Sequence, residues 1–510
     1  MEKLLKVISN RAVIIVLLIL LQLGVLFAIV FRFQNYFVYF YTFYLLISSF
    51  VVIKIINSRS NPAYKIAWII PIMLIPVFGT VIYLVFGRVR FSKKEKTKME
   101  VIQEREQLAN ERTVSKAKIT DGNQNAIIQS NYLSKYGESS LFTHTTSEYY
   151  PLGEQAFEAM IEDLKKAEKY IFMEFFIVND GEMWQTILDI MIKKAREGVD
   201  VRFIYDDFGC LFTLPHGYDK KLRKEGIKCC VFNPFIPVLS PIFNNRNHRK
   251  ITVIDGKIAY TGGINLADEY INAIERFGHW KDNSIKLVGE AAWGFSLLFL
   301  SMWDFVNSTE SRVEEFIPIY EANELPETKG YYQPYVDSPF DRETVGMNVY
   351  LNLINRATDY VYFTTPYLVI DNLLMEALCN AAKGGVDVRI ITPHIPDKWY
   401  VHTVTKSNYA QLIEAGVEIY EYTPGFIHSK TCVVDGEYAT VGTVNLDYRS
   451  LFLHFECGVW MYKTKGVDDV LQDHLETEKL SQLITLEEAK NVSFPKKVLQ
   501  ACLSVFAPLL

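Results

Sequence analysis

A chain of 510 residues is too long for one ordinary hydrophobic core, so two or more folded units are expected. Its net charge of −6 argues against a broadly basic surface for nucleic acid, and its seven cysteines, odd in number and without metal-ligand spacing, read as reduced thiols of a cytosolic domain. A hydrophobic content of 49%, with 14% aromatics, is high for a soluble protein, and the excess is local.

That excess opens the chain. Residues 12–31, 33–53 and 66–87 are uncharged, and each stretch has about the 20 residues that a helix needs to cross the hydrocarbon. No small-residue cleavage site ends the first, which argues against a signal peptide. Lys3, Lys6 and Arg11 precede the first stretch, Arg32 alone follows it, and Lys54, Arg59 and Lys65 follow the second. Positive charge collects on the cytoplasmic side, so this count predicts two spans with both ends inside. The third stretch is interrupted by Pro71, Pro76 and Gly79 and followed by Arg88, Arg90, Lys93, Lys94, Lys96 and Lys98. Two readings reconcile those charges: a broken, re-entrant or interfacial hairpin, or a full third span with an outside N-terminus. In both, the large C-terminal part faces the cytoplasm of a multi-pass protein of the cell membrane. Residues 92–118 are rich in Lys, Glu, Gln and Arg and read as a solvated helical linker.

From about residue 150 to 465 the chain repeats itself. KYIFMEFFIV from Lys169 and DYVYFTTPYLVI from Asp359 are strand-like, and each leads through a helical stretch into GVDVR, at Gly198 and Gly385. LRKEGIKCCVFNP from Leu222 and LIEAGVEIYEYTP from Leu412 follow, each a helix end, a turning glycine and a strand. Cys229 and Cys230 are expected to be half-buried on the first of these strands. The rhythm predicts two α/β units with parallel or mixed sheets. The expected boundaries are 1–88 for the membrane-anchoring segments and 89–140 for the charged juxtamembrane linker. The first α/β domain follows at 141–325, the second at 326–491 and a membrane-interface tail at 492–510.

Each unit then reaches a polar motif. The first is His248, Arg249, Lys250 and Asp255, followed by Gly262, Gly263 and Asn265; the second is His428, Ser429, Lys430 and Asp435, followed by Gly442 and Asn445. One such match is weak evidence; two with identical spacing through the asparagine are strong. On a strand, His248 and Lys250 share a face, as do His428 and Lys430. Such a set suits a phosphodiester. Lysine and asparagine supply charge and N–H donors to phosphate oxygens, while one imidazole attacks phosphorus and another donates a proton to the leaving oxygen. Neither role requires a metal, and lysine is a poor ligand for the rival use of histidine, zinc. No cofactor is expected.

The doubled His-x-Lys-x-x-x-x-Asp pattern with its downstream asparagine resembles the phospholipase D superfamily. Asn61, Pro62, Trp68, Pro76, Gly79, Tyr83, residues 84–86, Gly87 and Arg88 resemble the membrane segment of the bacterial cardiolipin synthases, as residues 507–510 resemble their tail. The resemblance implies two phospholipase D-like α/β domains sharing one cleft, behind N-terminal hydrophobic membrane helices. It implies a covalent phosphohistidine, with His248 as nucleophile and His428 as acid and base. It also implies that Asp282 and Glu456 orient the histidines, and Asp255 and Asp435 are expected to organise the site. The two halves differ: Pro234, Pro237 and Pro241 lie in an insertion before His248, and residues 266–269 do not match residues 446–449. The expected reaction is transfer of a phosphatidyl group from one phosphatidylglycerol to another, giving cardiolipin and glycerol, with anionic membrane lipids as partners and no nucleic acid. A lipase that gives the intermediate to water, another phosphatidyltransferase, a nuclease and an inactive membrane scaffold remain alternatives.

Overall fold

The computed structural model describes residues 37–87, 92–113, 117–234, 244–321, 324–340 and 343–509, with a few positions between 20 and 32. The first hydrophobic stretch therefore lies mostly outside the described residues. The second forms the helix Phe37–Ile56. The third is broken: helix Pro62–Leu74 stops at Ile75, and Pro76–Phe86 starts a second short helix. Proline lacks the N–H that would continue the first helix. Gly79 lets the two backbones close, since a Cβ there would stand 2.4 Å from the carbonyl oxygen of Pro71. Ser48 donates to the carbonyl of Pro76 and shares a 2.7 Å hydrogen bond with Thr80, tying Phe37–Ile56 to the pair. Among the described residues no helix is long and apolar enough to cross a membrane. Of the expected segments, the first lies mostly outside the described residues, the second is one aromatic- and hydroxyl-rich helix, and the third is broken at Ile75 and Pro76, as the hairpin reading expects.

The charged segment is helical as expected, over Lys93–Thr113, but it is docked rather than solvated. Arg105 pairs with Asp304 at 2.5 Å, and Met99, Ile102 and Glu106 are buried. The next helix, Gln124–Tyr136, puts Ala126 and Leu133 into the core of the second half, so the stretch expected as one linker divides its packing between the two.

The repeat becomes two sheets of matching order. In the first half the strands are β1 (Thr145–Tyr150), β2 (Tyr170–Phe175), β3 (Asp200–Asp206), β4 (Lys228–Phe232), β5 (Ile251–Ile254), β6 (Ile258–Gly262), β7 (His279–Lys281) and β8 (Ser284–Gly289). All but β7 form one sheet in the order β1-β8-β6-β5-β2-β3-β4. The second half carries β9 (Tyr331–Asp337), β10 (Tyr360–Thr364), β11 (Leu368–Val369), β12 (Asp387–Pro393), β13 (Glu418–Tyr422), β14 (Gly425–Ile427), β15 (Thr431–Val434), β16 (Tyr438–Gly442), β17 (Leu446–Asp447), β18 (Glu456–Tyr462) and β19 (Ser481–Leu483). Its large sheet runs β19-β13-β12-β10-β15-β16-β18-β9, the first order with one strand added at the edge. Both sheets are mixed: β2, β3 and β4 are parallel, as are β10, β12 and β13, while the motif strands β5 and β15 run antiparallel to them.

The halves share a core. Phe172, Val253, Ala259 and Leu287 from one sheet join Val433, Ala439, Val441 and Val459 from the other in one buried cluster. Helix Glu290–Asn307 runs through it, buried at every position from Ala291 to Asp304, which explains why its sequence is apolar on all sides. Cys229 and Cys230 are fully buried rather than half-buried, and burial pushes both thiols up, that of Cys230 to about 12, so they stay protonated and unreactive.

Candidate active site at the seam of the two halves

Each histidine motif lies on the seam, held by the backbone of the other half. His248 N–H donates to the carbonyl of Phe455 at 2.9 Å, and His428 N–H to that of Lys281 at 2.7 Å. The residue after each acceptor is an acid, so both carboxylates cross over. His248 Nδ1 lies 2.9 Å from Glu456 Oε2, and His428 Nδ1 lies 2.7 Å from Asp282 Oδ2. A carboxylate facing Nδ1 places the proton there and leaves Nε2 with its lone pair for the reaction. The expected orienting role of Asp282 and Glu456 thus has a geometry, with each acid serving the histidine of the opposite half.

The two acids reach their targets by different means. Asp282 is one methylene shorter, and Gly263 makes room beside it: a Cβ there would stand 2.0 Å from Asp282 Oδ1. Thr443 occupies the matching place in the second half and donates to Glu456, as Ser450 does at 2.6 Å. Beyond the histidines, Asn247 bonds Glu174 and Arg246 pairs with Asp206 at 3.6 Å, both in the first half. The histidines therefore stand in unequal surroundings.

Lys250 joins its histidine through the backbone, and Lys430 through the backbone and His428 Nδ1, 2.8 Å away, rather than along a strand face, because β5 and β15 begin only after Lys250 and Lys430. Lys250 Nζ donates to the carbonyl of His248 at 2.7 Å, and Lys430 Nζ to that of His428. All four side chains are buried. Burial is the leading cause of each pKa shift. His248 is held well below the usual imidazole range, with Lys250, Lys430 and His428 adding to the effect. His428 is lowered to about 4, Lys250 to about 7 and Lys430 to about 8. A dry site crowded with groups that cannot all be cationic is suited to an anion, whose arrival restores their protons.

Asp255 and Asp435 are not beside this site, which corrects the expectation that they organise it. They follow β5 and β15, five residues and about 16 Å of strand beyond the lysines. Asp255 accepts from the N–H groups of Glu168, Lys169 and Tyr170, and Asp435 from those of Thr358, Asp359 and Tyr360. Each pins the start of a central strand to a turn. Asn265 is also turned to support: its Oδ1 accepts from Ile177 N–H at 3.0 Å, and its amide donates at 2.7 Å to Tyr270, whose ring lies 5.6 Å from His428. Asn445 is buried nearby in the second half, with its backbone N–H on Ser450 Oγ.

Sequence reasoning missed His454 and Trp280, which occupy equivalent places two residues before the acids. The His454 ring lies 5.5 Å from His248, and that of Trp280 lies 5.7 Å from His428. Extending the repeat to residues 279–282 and 453–456 would have found them. His248, His454 and Glu456 offer three possible metal-ligand atoms within 4.8 Å. However, Glu456 is already engaged by His248, Thr443 and Ser450, and His454 Nε2 accepts from Arg449 at 3.3 Å.

The comparisons with known proteins agree with this arrangement. Residues 160–275 and 350–477 match the family model described as "Cardiolipin synthase, PLD-like domain", and residues 46–88 match "Phospholipase_D-nuclease N-terminal". The chain is 33% identical to a cardiolipin synthase of Geobacillus kaustophilus, over 90% of this chain and 92% of that one. An uncharacterised protein of Streptococcus mutans is 42% identical over 90% of this chain and 99% of its own length. The phosphatidylserine synthase of Haemophilus influenzae, 16% identical, superposes with a TM-score of 0.53 over 71% of this chain and 93% of that one, a likeness of fold. Two matched half-sites, crossed acids and full-length relatives together place the chain in the cardiolipin synthase family of the phospholipase D superfamily.

Proposed function

We propose that the protein is a cardiolipin synthase that moves a phosphatidyl group from one phosphatidylglycerol to the free hydroxyl of a second, releasing glycerol. The observation that carries this reading is the pair of buried histidines, each oriented through Nδ1 by the acid of the other half, beside two buried lysines. His248 Nε2 attacks phosphorus, the bond to the glycerol oxygen breaks, and that oxygen takes the proton of His428. The anionic lipid supplies that proton's stability, because a nearby negative charge lifts an imidazole that burial alone depresses. The acceptor hydroxyl then returns a proton to His428 as its oxygen attacks phosphorus and the P–N bond to His248 breaks. Lys250 and Lys430 are the groups placed to hold the phosphate oxygens. The unequal surroundings of the two histidines support giving them different roles.

Membrane association agrees with the family and with the N-terminal match. The multi-pass, inward-facing topology belongs to the same proposal, with residues 12–31 as its first span. Exposed Met73, Leu74 and Ile75 at the bend of the hairpin, together with Trp399 and Phe494, support contact with lipid. The decisive experiment gives purified full-length protein phosphatidylglycerol labelled in its phosphate. Cardiolipin is the expected product, with label retained on the wild-type protein after denaturation at alkaline pH, where a phosphohistidine bond persists, and none on His248→Ala. Phosphatidic acid as sole product would make the enzyme a lipase, and label on His248→Ala but not on His428→Ala would exchange the roles.

A further inference from the structure

A cavity of about 700 Å³ lies between the N-terminal helical pair and the second half of the protein. Trp68, Tyr83 and Phe86 line it from the pair, and Met347, Leu451 and Phe452 from the opposite wall. Its volume falls within the range of small-molecule sites, and its lining is largely apolar. Arg59, Lys65 and Arg449 stand in it as well. The two carboxylates of the lining are engaged: Asp337 accepts from Gly346 N–H at 2.7 Å and Glu343 from the hydroxyl of Tyr132 at 2.8 Å.

The cavity leads to the chemistry. Arg449 donates to His454, both line the cavity, and the His454 ring lies 5.5 Å from that of His248. Two buried polar atoms of lining residues have no hydrogen-bond partner, the hydroxyl of Tyr64 and Nδ1 of His454, the latter 3.6 Å from Glu456. A wall of aromatic and aliphatic side chains that ends in an arginine, one imidazole away from His248, matches a molecule with a greasy body and an anionic head. The hairpin itself is latched to the second half, since Asn61 caps its first helix and also donates to Asp371 at 2.9 Å.

We infer that this cavity receives the ester region and upper acyl chains of a membrane phospholipid, with Arg449 leading its phosphate toward His248. The inference rests on the phosphatidyl-transfer reading, which supplies the lipid, and gives the N-terminal pair a role in binding substrate besides attachment. Tyr64 of the pair meets Tyr448 and Phe452 of the second half edge-on, each with ring centroids 6.1 Å apart, so the site exists only in the full chain.

Full-length His248→Ala protein, which cannot consume substrate, is irradiated with phosphatidylglycerol carrying a diazirine near the ester, and the adducts are mapped by mass spectrometry. Adducts are expected around Met347 and around Leu451, competed by unlabelled phosphatidylglycerol, in addition to those on residues 55–87. Adducts confined to residues 37–87 and 494–509 would reflect general contact with the bilayer and overturn the inference. In an otherwise native chain, Leu373→Trp narrows the rim at a position 59% exposed, where the fold tolerates the ring. It should raise KM about fivefold for long-chain and dihexanoyl phosphatidylglycerol alike, since both present the ester region and upper chain carbons to the rim, and leave kcat unchanged. No rise in KM for either, or a loss in kcat alone, would also overturn it. Cardiolipin formed without adducts at Met347 or Leu451 removes the cavity inference alone; adducts there without cardiolipin remove the reaction and keep the lipid site.

Discussion

Asp282 and Glu456 differ by one methylene, and the residues beside them differ to match. Gly263 is therefore a positioning residue whose lack of a side chain is its function. Gly263→Ala should move the Asp282 carboxylate away from His428 and lower kcat by about 100-fold, the order expected for a displacement near 1 Å. Steady-state kinetics with a melting curve would check this, and a loss of folding with kcat intact in the folded fraction would contradict it. His428 carries a second expectation. Its folded pKa is about 4 against about 6.5 in an unfolded chain, so between those values the unfolded state binds a proton that the native state refuses. Its contribution opposes folding increasingly as pH falls from about 6.5 to 4 and is absent above that window. Replacing it by asparagine should reduce the acid-side slope of stability by up to about 1.4 kcal/mol per pH unit, read from denaturant melts of wild type and variant. Identical slopes would mean that the imidazole titrates in the native protein as it does in the unfolded chain.

At the scale of elements, the C-terminal helix Phe494–Phe506, expected as a membrane-interface tail, is also packed on the protein. It packs on helix Trp399–Glu414, where Ser504 and Ser407 share a 3.2 Å hydrogen bond, and Ala507 and Pro508 are buried beyond its end. Yet Phe494, Val498 and Leu499 remain exposed beside Lys496 and Lys497, the composition of an interfacial surface. Truncation after Asn491 should lower activity on bilayers more than on dispersed short-chain lipid, and should also lower the melting temperature. Equal loss on both substrates would leave the tail with its packing role alone.

For the whole molecule, the crossed pairs make the two halves one catalytic unit: neither histidine keeps its acid if the seam opens. The docked helix Lys93–Thr113 carries the chain from the hydrophobic region directly onto this unit through Arg105 and Asp304. The catalytic unit and the point where that region ends are thus held together, and the proposed topology puts both on the inner side of the bilayer. Single cysteines placed at positions 34 and 120 of a cysteine-free protein should differ toward an impermeant maleimide added to intact cells. Position 34 is expected to react and position 120 to be protected; labelling at 120 would reverse the topology.

The repeat, its mixed α/β character and the matched spacing of the two motifs were legible in the chain, because strand alternation, turning glycines and motif spacing are local properties that recur at a constant offset. Asp282 and Glu456 were legible only through the family resemblance, since nothing near either residue in sequence says which histidine it meets. Only the tertiary structure decided that each acid serves the opposite half, because the Phe455 and Lys281 carbonyls that receive the histidine N–H groups come from strands about 200 and 150 residues away. It also decided against Asp255 and Asp435 as neighbours of the site: their fixed distance from the histidines looked like catalytic spacing and is the length of one strand. The docking of the charged helix was hidden for a related reason. A polar helix reads as solvated until a partner such as Asp304 is brought to it by the fold, and composition records the charge without recording what will face it.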